Sequence, residues 1–238
     1  MCAEAKALRD RGADSLKDLQ TSFAALDHAA QLSHLLPYID TFAKLGKKDL
    51  LLECVKKFSE TELKEQCPLA LASAYLAEDK AKDARELISK VIDDKKSDQE
   101  TIAEAYLELA QANLKDGDHK AAREALQKAI DSNGKDFNAL VELSRLYLSD
   151  KQTTDAQQSA QRALDVNLYC VPAHICLAEA YLQANKLKEA EASFGKAAEL
   201  NPTSIEAHKG LLSVYQKQSK TSDAAREQEI ISNLSKNS

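Results

Sequence analysis

The feature that most constrains this chain is a period of 34 residues. Leu177 stands 34 residues from Leu143 and from Leu211, and one further step back lies Leu109. Tyr181 matches Tyr147 and Tyr215, although Asn113 replaces the tyrosine in the earlier register. Ala190 matches Ala156, Ala122 and Ala224. Ala197 matches Ala163 and Ala129, with Ile231 in the last copy. Columns that keep register over several copies mean that one supersecondary unit is used repeatedly. Such a unit cannot bury its own apolar face, so neighbouring copies must bury it for one another.

Within Val171 to Ser204, two helical patterns flank a polar break at Asn185-Lys186. Leu177, Ala178 and Tyr181 share one face of the first pattern, helix A. Ala190, Phe194 and Ala197 share one face of the second, helix B, and Pro202 follows. This order resembles the tetratricopeptide repeat signature. The resemblance implies an all-α fold, a right-handed superhelical solenoid of antiparallel helix pairs. It sets repeats at 103–136, 137–170, 171–204 and 205–238.

A further copy fits 65–98, where Leu71, Ala72, Tyr75, Ala84, Ile88 and Val91 fill the same slots. Four residues are then inserted, close to one helical turn, so they lengthen a helix without rotating its apolar face. A divergent copy at 32–64 rests on Tyr38, Phe42, Gly46, Leu51, Val55 and Phe58. Residues 1–31 are read as an N-terminal capping region, with a helix from about Ser15 to Ala29 carrying Leu16, Leu19, Phe23 and Leu26. An end repeat has no neighbour on one side and needs such a cap. Gln228 stands where other copies carry an aromatic or aliphatic residue, and is expected to face water at the end of the array. These segments form one solenoid domain.

Local signals agree. Small residues at Ala72, Ala110, Ser144 and Ala178 on A, and at Ala84, Ala122, Ala156, Ala190 and Ala224 on B, are expected at the A–B crossings. Helix axes that approach to about 8–10 Å leave room only for short side chains. Gly46, Gly117 and Asn185 suit a positive φ in the A–B turn, and Asp79, Lys151 and Ser219 occupy the same slot without that help. Capping boxes are expected at Ser97/Glu100 and Thr203/Glu206.

Composition narrows the function. Ala, Leu, Glu and Lys dominate, which suits helices. With 32 basic and 38 acidic residues and a net charge of -6, the chain repels phosphate overall, so no nucleic acid partner is expected. No apolar run reaches the roughly 18 residues of a membrane span. The charged N-terminal stretch lacks a signal core, and Cys2 lacks a second anchor signal beside it. Five cysteines without paired spacing read as free thiols in a reducing compartment. Together these point to a cytoplasmic protein, with the nucleus as the alternative.

No catalytic constellation is present: there is no Gly-rich phosphate loop, no His-Glu-x-x-His and no Cys-x-x-Cys. Cys170, His174 and Cys176 lack the fourth ligand and closed tetrahedron that zinc requires. His174 and His208 share one repeat slot and are read as partly buried structural histidines, with a ligand or pH switch as the alternative. No enzyme activity, metal or cofactor is therefore expected.

The expected partner is a protein or peptide, held by the A helices, which by resemblance line the concave surface. Slots five and twelve of each copy lie two turns apart and face the same way. They hold Leu107/Leu114, Val141/Leu148 and Ile175/Leu182 in three successive copies, and Lys209/Gln216 in the last. The six apolar residues are the expected groove floor. Glu104, Glu108, Glu142 and Glu179 form an acidic rim, with Arg145 as its basic exception. The competing reading is that the stripe packs against neighbouring A helices. One branch of the family grips the C-terminal carboxylate of chaperones with Lys, Asn and Arg at slots two, five, six and nine. Here slots five and nine are Leu69/Ser73, Leu107/Gln111, Val141/Arg145, Ile175/Glu179 and Lys209/Ser213, and slot six carries Glu108 and Glu142. That binding mode is not expected. A scaffold or adaptor is the first reading; a co-chaperone or receptor for an amphipathic or apolar segment is the alternative.

The register itself is testable. Ala190→Leu should lower stability by about 1–3 kcal/mol, because it overpacks a helix crossing. A urea melt of that variant that overlays the parent's would show the register to be wrong.

Overall fold

The computed structural model describes residues 21–22, 24–35, 38–39, 48–134 and 136–236. Every regular element among them is helical, and they divide into two compact units between Asn133 and Gly134. The first unit holds α1 (His28–Ser33), α2 (Lys48–Val55) and α3 (Glu60–Gln66). Two pairs follow, α4 (Pro68–Ala77) with α5 (Ala81–Asp93), and α6 (Gln99–Lys115) with α7 (His119–Ser132). The second unit holds three pairs: α8 (Phe137–Ser149) with α9 (Thr153–Val166), α10 (Val171–Gln183) with α11 (Leu187–Leu200), and α12 (Ile205–Lys217) with α13 (Thr221–Lys236). In each unit the pairs stack as a helical solenoid, A helix beside A helix.

The crossings are as tight as the small-residue columns require. Ala72, Ala84, Ala122, Ala156, Ala178 and Ala190 are fully buried, and so is Ser144. The Ser144 hydroxyl donates to the Ala156 carbonyl oxygen at 2.8 Å, so the one polar member of the A column bonds directly to the B helix. In the second unit Phe194 fills the space between two pairs, packed with Ile175, Leu211 and Val214. A Cβ at Gly210 would run into the Phe194 ring, so only glycine fits there.

The A–B turns are built alike. Asp79, Gly117, Lys151, Asn185 and Ser219 all have φ between 58° and 74°. The next N–H in each turn reaches back five residues: Lys80, Gln152 and Lys186 donate to the carbonyls of Tyr75, Tyr147 and Tyr181 at 2.8 Å, and Lys220 to Tyr215 at 2.9 Å. This is the Schellman closure of a helix end. Three of the B helices also end alike. Asn133, Asn167 and Asn201 cap α7, α9 and α11, each donating its N–H to the alanine carbonyl four residues back at 2.9 Å. The latter two accept from Tyr169 and Thr203 N–H through their side chains.

Several expectations shift. The inserted residues do lengthen a helix: α6 has 17 residues, against 13 in α8, α10 and α12. Its cap, however, is Asp98, which accepts from Thr101 N–H, while the Ser97 hydroxyl donates to Val91 O. Ser204, not Thr203, caps α12. In both places a better-placed side chain one residue on takes the role. Leu16, Leu19, Phe23, Phe42 and Gly46 lie outside the described residues. The helix expected to reach Ala29 is interrupted at 25–27, where Asp27 accepts from Ala30 N–H and opens α1. Tyr38, Leu51, Val55 and Phe58 are buried. Helix α3 was not foreseen. Ser59 and Glu62 open it with a reciprocal capping box, and Pro68, which cannot continue a helical hydrogen-bond ladder, separates it from α4.

The turn geometry generates a prediction. Lys151 is held at φ 59°, a region that costs an L-residue with a Cβ about 1–2 kcal/mol. Lys151→Gly should therefore stabilise by about 0.5–1 kcal/mol, after the entropy that glycine loses on folding. The midpoint should rise by roughly 1–4 °C in differential scanning calorimetry.

Candidate interaction face

The stripe expected as a groove floor is largely interior. Val141, Leu148 and Ile175 are 5%, 6% and 2% exposed, and Leu107, Leu114 and Leu182 are half-buried. The reason is the side-by-side packing of the A helices. Ile175 belongs to a cluster with Ala207, Leu211 and Val214 of α12, and Leu182 packs against its margin. Gln183 Nε2 of α10 donates to the Leu148 carbonyl oxygen at the end of α8 at 3.4 Å. In the second unit Leu148, Ile175 and Leu182 thus lie against a neighbouring A helix. In the last copy the same slots, Lys209 and Gln216, are exposed, since no further A helix follows among the described residues.

The rim is distributed over both units. In the first, Glu104 is exposed, whereas Glu108 is buried and accepts from the Ser73 hydroxyl at 2.7 Å. Ser73 and Glu108 occupy slots nine and six of neighbouring copies, so that pair ties α4 to α6. Glu108 is therefore a packing residue as much as a rim charge.

In the second unit the remaining charges gather. Glu142 and Glu179 are half-buried and Arg145 is exposed. The Arg145 guanidinium lies 3.8 Å from Glu206 Oε1, joining α8 to α12 across α10. Burial pushes the Glu179 carboxyl up, Glu206 adds to this, and Arg145 opposes it. Three carboxylates therefore share one guanidinium. Beneath them lies Cys176, 1% exposed, whose thiol burial pushes up to about 12. Burial of this kind disfavours the thiolate, the reactive form of a cysteine. Glu206 was missing from the sequence-derived rim. Its signal was there in the period: slot two holds Glu104 in one copy and Glu206 in another.

The other chemistry-bearing side chains have structural occupations. His174 is buried, and its Nε2 lies 3.0 Å from the Leu168 carbonyl oxygen. Cys54, Cys67, Cys170 and Cys176 are free thiols, and Cys67 Sγ donates to Leu32 O. No group of His, Cys, Asp or Glu among the described residues could hold a metal ion. No helix among them is long and apolar enough to cross a membrane.

Comparison with known proteins gives a consistent picture. Two family profiles, both described as tetratricopeptide repeat, match residues 69–137 and 171–204. The chain matches no curated protein sequence. Among solved structures it is similar to PilF from Pseudomonas aeruginosa, at 20% identity and a TM-score of 0.65 over 73% of this chain and 77% of that one. It is also similar to MamA from Desulfovibrio magneticus RS-1, at 18% identity and a TM-score of 0.61 over 73% and 96%. A third is YrrB, described as a tetratricopeptide protein with an unusual peptide-binding site, at 17% identity and a TM-score of 0.55 over 70% and 84%. At these identities the likeness is one of fold.

Burial separates the floor residues from one another. Leu148→Glu should destabilise the protein by at least about 3 kcal/mol, because it puts a carboxylate into a closed apolar site. Leu182→Glu, at a half-buried position, should cost clearly less. Paired urea melts test this, and a Leu148→Glu melt equal to the parent's would return that residue to an open groove.

Proposed function

We propose, since this chain belongs to the tetratricopeptide repeat family, that it is a non-catalytic scaffold or adaptor that holds a partner protein on the A-helix face of its repeats. The observation that carries the reading is the charge group on α8, α10 and α12. Glu142, Glu179 and Glu206 stand around Arg145, and burial with like charge pushes the Glu179 carboxyl up. Such a group favours a cation brought by a partner, and a cation would draw that carboxyl back toward its ionised form. Leu182, on the same helix as Glu179, supplies half-buried apolar contact. The partner segment is therefore apolar with flanking Lys or Arg, and the rim sets its on-rate and orientation.

Selection of a random peptide library on the whole chain tests this. Enriched peptides should carry Lys or Arg beside apolar residues. A Glu142→Lys, Glu179→Lys double variant should bind them about tenfold more slowly at low salt, a difference that shrinks as salt is raised. Selected peptides without basic residues, or equal rates at low salt, would refute the proposed face. Capture of many unfolded proteins in place of one folded partner would favour the chaperone-type alternative.

A further inference from the structure

The last helix pair contains a buried ionisable couple that the A-helix face does not use. His208 on α12 and Glu227 on α13 are each 7% exposed. The ring's Nδ1 lies 2.6 Å from Glu227 Oε2, and its Nε2 lies 3.0 Å from the Pro202 carbonyl oxygen. A carbonyl oxygen only accepts, so Nε2 must carry hydrogen. An ionised carboxylate also only accepts, so a bond at Nδ1 needs a second hydrogen on the ring. A neutral imidazole has one hydrogen and cannot make both bonds with an ionised Glu227.

The preceding copy supplies the comparison within the same chain. His174 stands 34 residues before His208, and its Nε2 faces the Leu168 carbonyl oxygen at 3.0 Å, in the same arrangement. The position that matches Glu227 there is Ser193. A neutral ring with hydrogen on Nε2 satisfies that copy, so a second hydrogen, on the ring or on the carboxyl, is demanded only in the last.

We propose that His208 and Glu227 form a protonation-dependent latch, an imidazolium–carboxylate couple that ties α13 to α12 and fixes the Pro202 turn leading into α12. Glu227 acts on Tyr215 of α12 together with Glu191 of α11, Asp223 of α13 and Lys220 of the turn between α12 and α13. Burial, then Glu191, Glu227 and Asp223, push the Tyr215 hydroxyl up. Glu191 is occupied by Gln218 and Lys220, and Asp223 lies 4.0 Å from Arg226. The sign of the pH dependence follows from the hydrogen count. Raising the pH removes the extra proton, sets one acceptor against another inside the protein, and loosens the last pair.

The test uses the full chain with nitrogen-15-labelled histidine and two-bond proton–nitrogen NMR spectra at neutral pH. His208 should show hydrogen on both ring nitrogens, and His174 hydrogen on Nε2 only. Glu227→Gln should convert His208 to the single Nε2–H form, because the amide can donate to a bare Nδ1. Hydrogen exchange corrected for intrinsic rates provides a second readout. Along an alkaline series, amides of 221–236 should lose protection before those of α8 to α11 in the parent, and together with them in Glu227→Gln. A bare Nδ1 on His208 in the parent, or loss of protection in 221–236 no earlier than elsewhere, would overturn the latch.

Discussion

Everything in this protein depends on how closely the two helices of a pair approach. Small residues at the crossings, mostly alanine with Ser144 on α8, bring the backbones together, which leaves the larger apolar residues directed outward from the pair. One pair cannot cover them. The cost of leaving Phe194, Leu211 or Val214 in water, roughly 1.5–3 kcal/mol for each side chain, drives the next pair onto the last. Stacking is thus a consequence of the small residues at the crossings, and the 34-residue period is its trace in the sequence.

The turns convert that packing into a regular array. Each A helix from α4 to α12 ends in one left-handed residue, so the turn closes with the same hydrogen bond in every copy regardless of which side chain stands there. Lys80, Lys186 and Lys220 set their ammonium groups 5.6, 5.8 and 5.4 Å from the tyrosine rings of the same turns. Bonds between neighbouring turns add to this. Arg85 reaches Asp116, Lys115 reaches Asp79 in the first unit, and Glu191 takes both Gln218 and Lys220 in the second. Such exposed pairs individually contribute little. Their effect is orientation, since each can form only when two turns lie in register.

The same stacking decides what the A-helix face presents. In the second unit it covers Val141, Leu148 and Ile175 and leaves Glu142, Arg145, Glu179 and Glu206 at the rim. Those rim residues are an unequal set of charges, three carboxylates around one guanidinium. An array whose floor is used for its own cohesion has only its rim, and the margins of the half-buried leucines, to offer a partner. The functional reading therefore rests on charge and position more than on apolar area.

The fold was legible in the sequence because the period, the alanine columns and the turn slot are each set by local geometry that repeats. Ala84 and Ala156 read as crossing residues and are buried there; Lys151 read as a turn residue and has the positive φ. The asparagine column at Asn133, Asn167 and Asn201 was equally visible, and only its capping role needed coordinates. The second unit's charge group was not legible in full, because Arg145, Glu179 and Glu206 come together only when three A helices lie side by side. Nor could the period say whether Leu148 and Ile175 face a partner or a neighbour, since both choices need the same apolar residue at the same spacing. Local patterns state which side of a helix is apolar. What covers that side depends on the distance and angle to the next helix, and tertiary packing alone sets those.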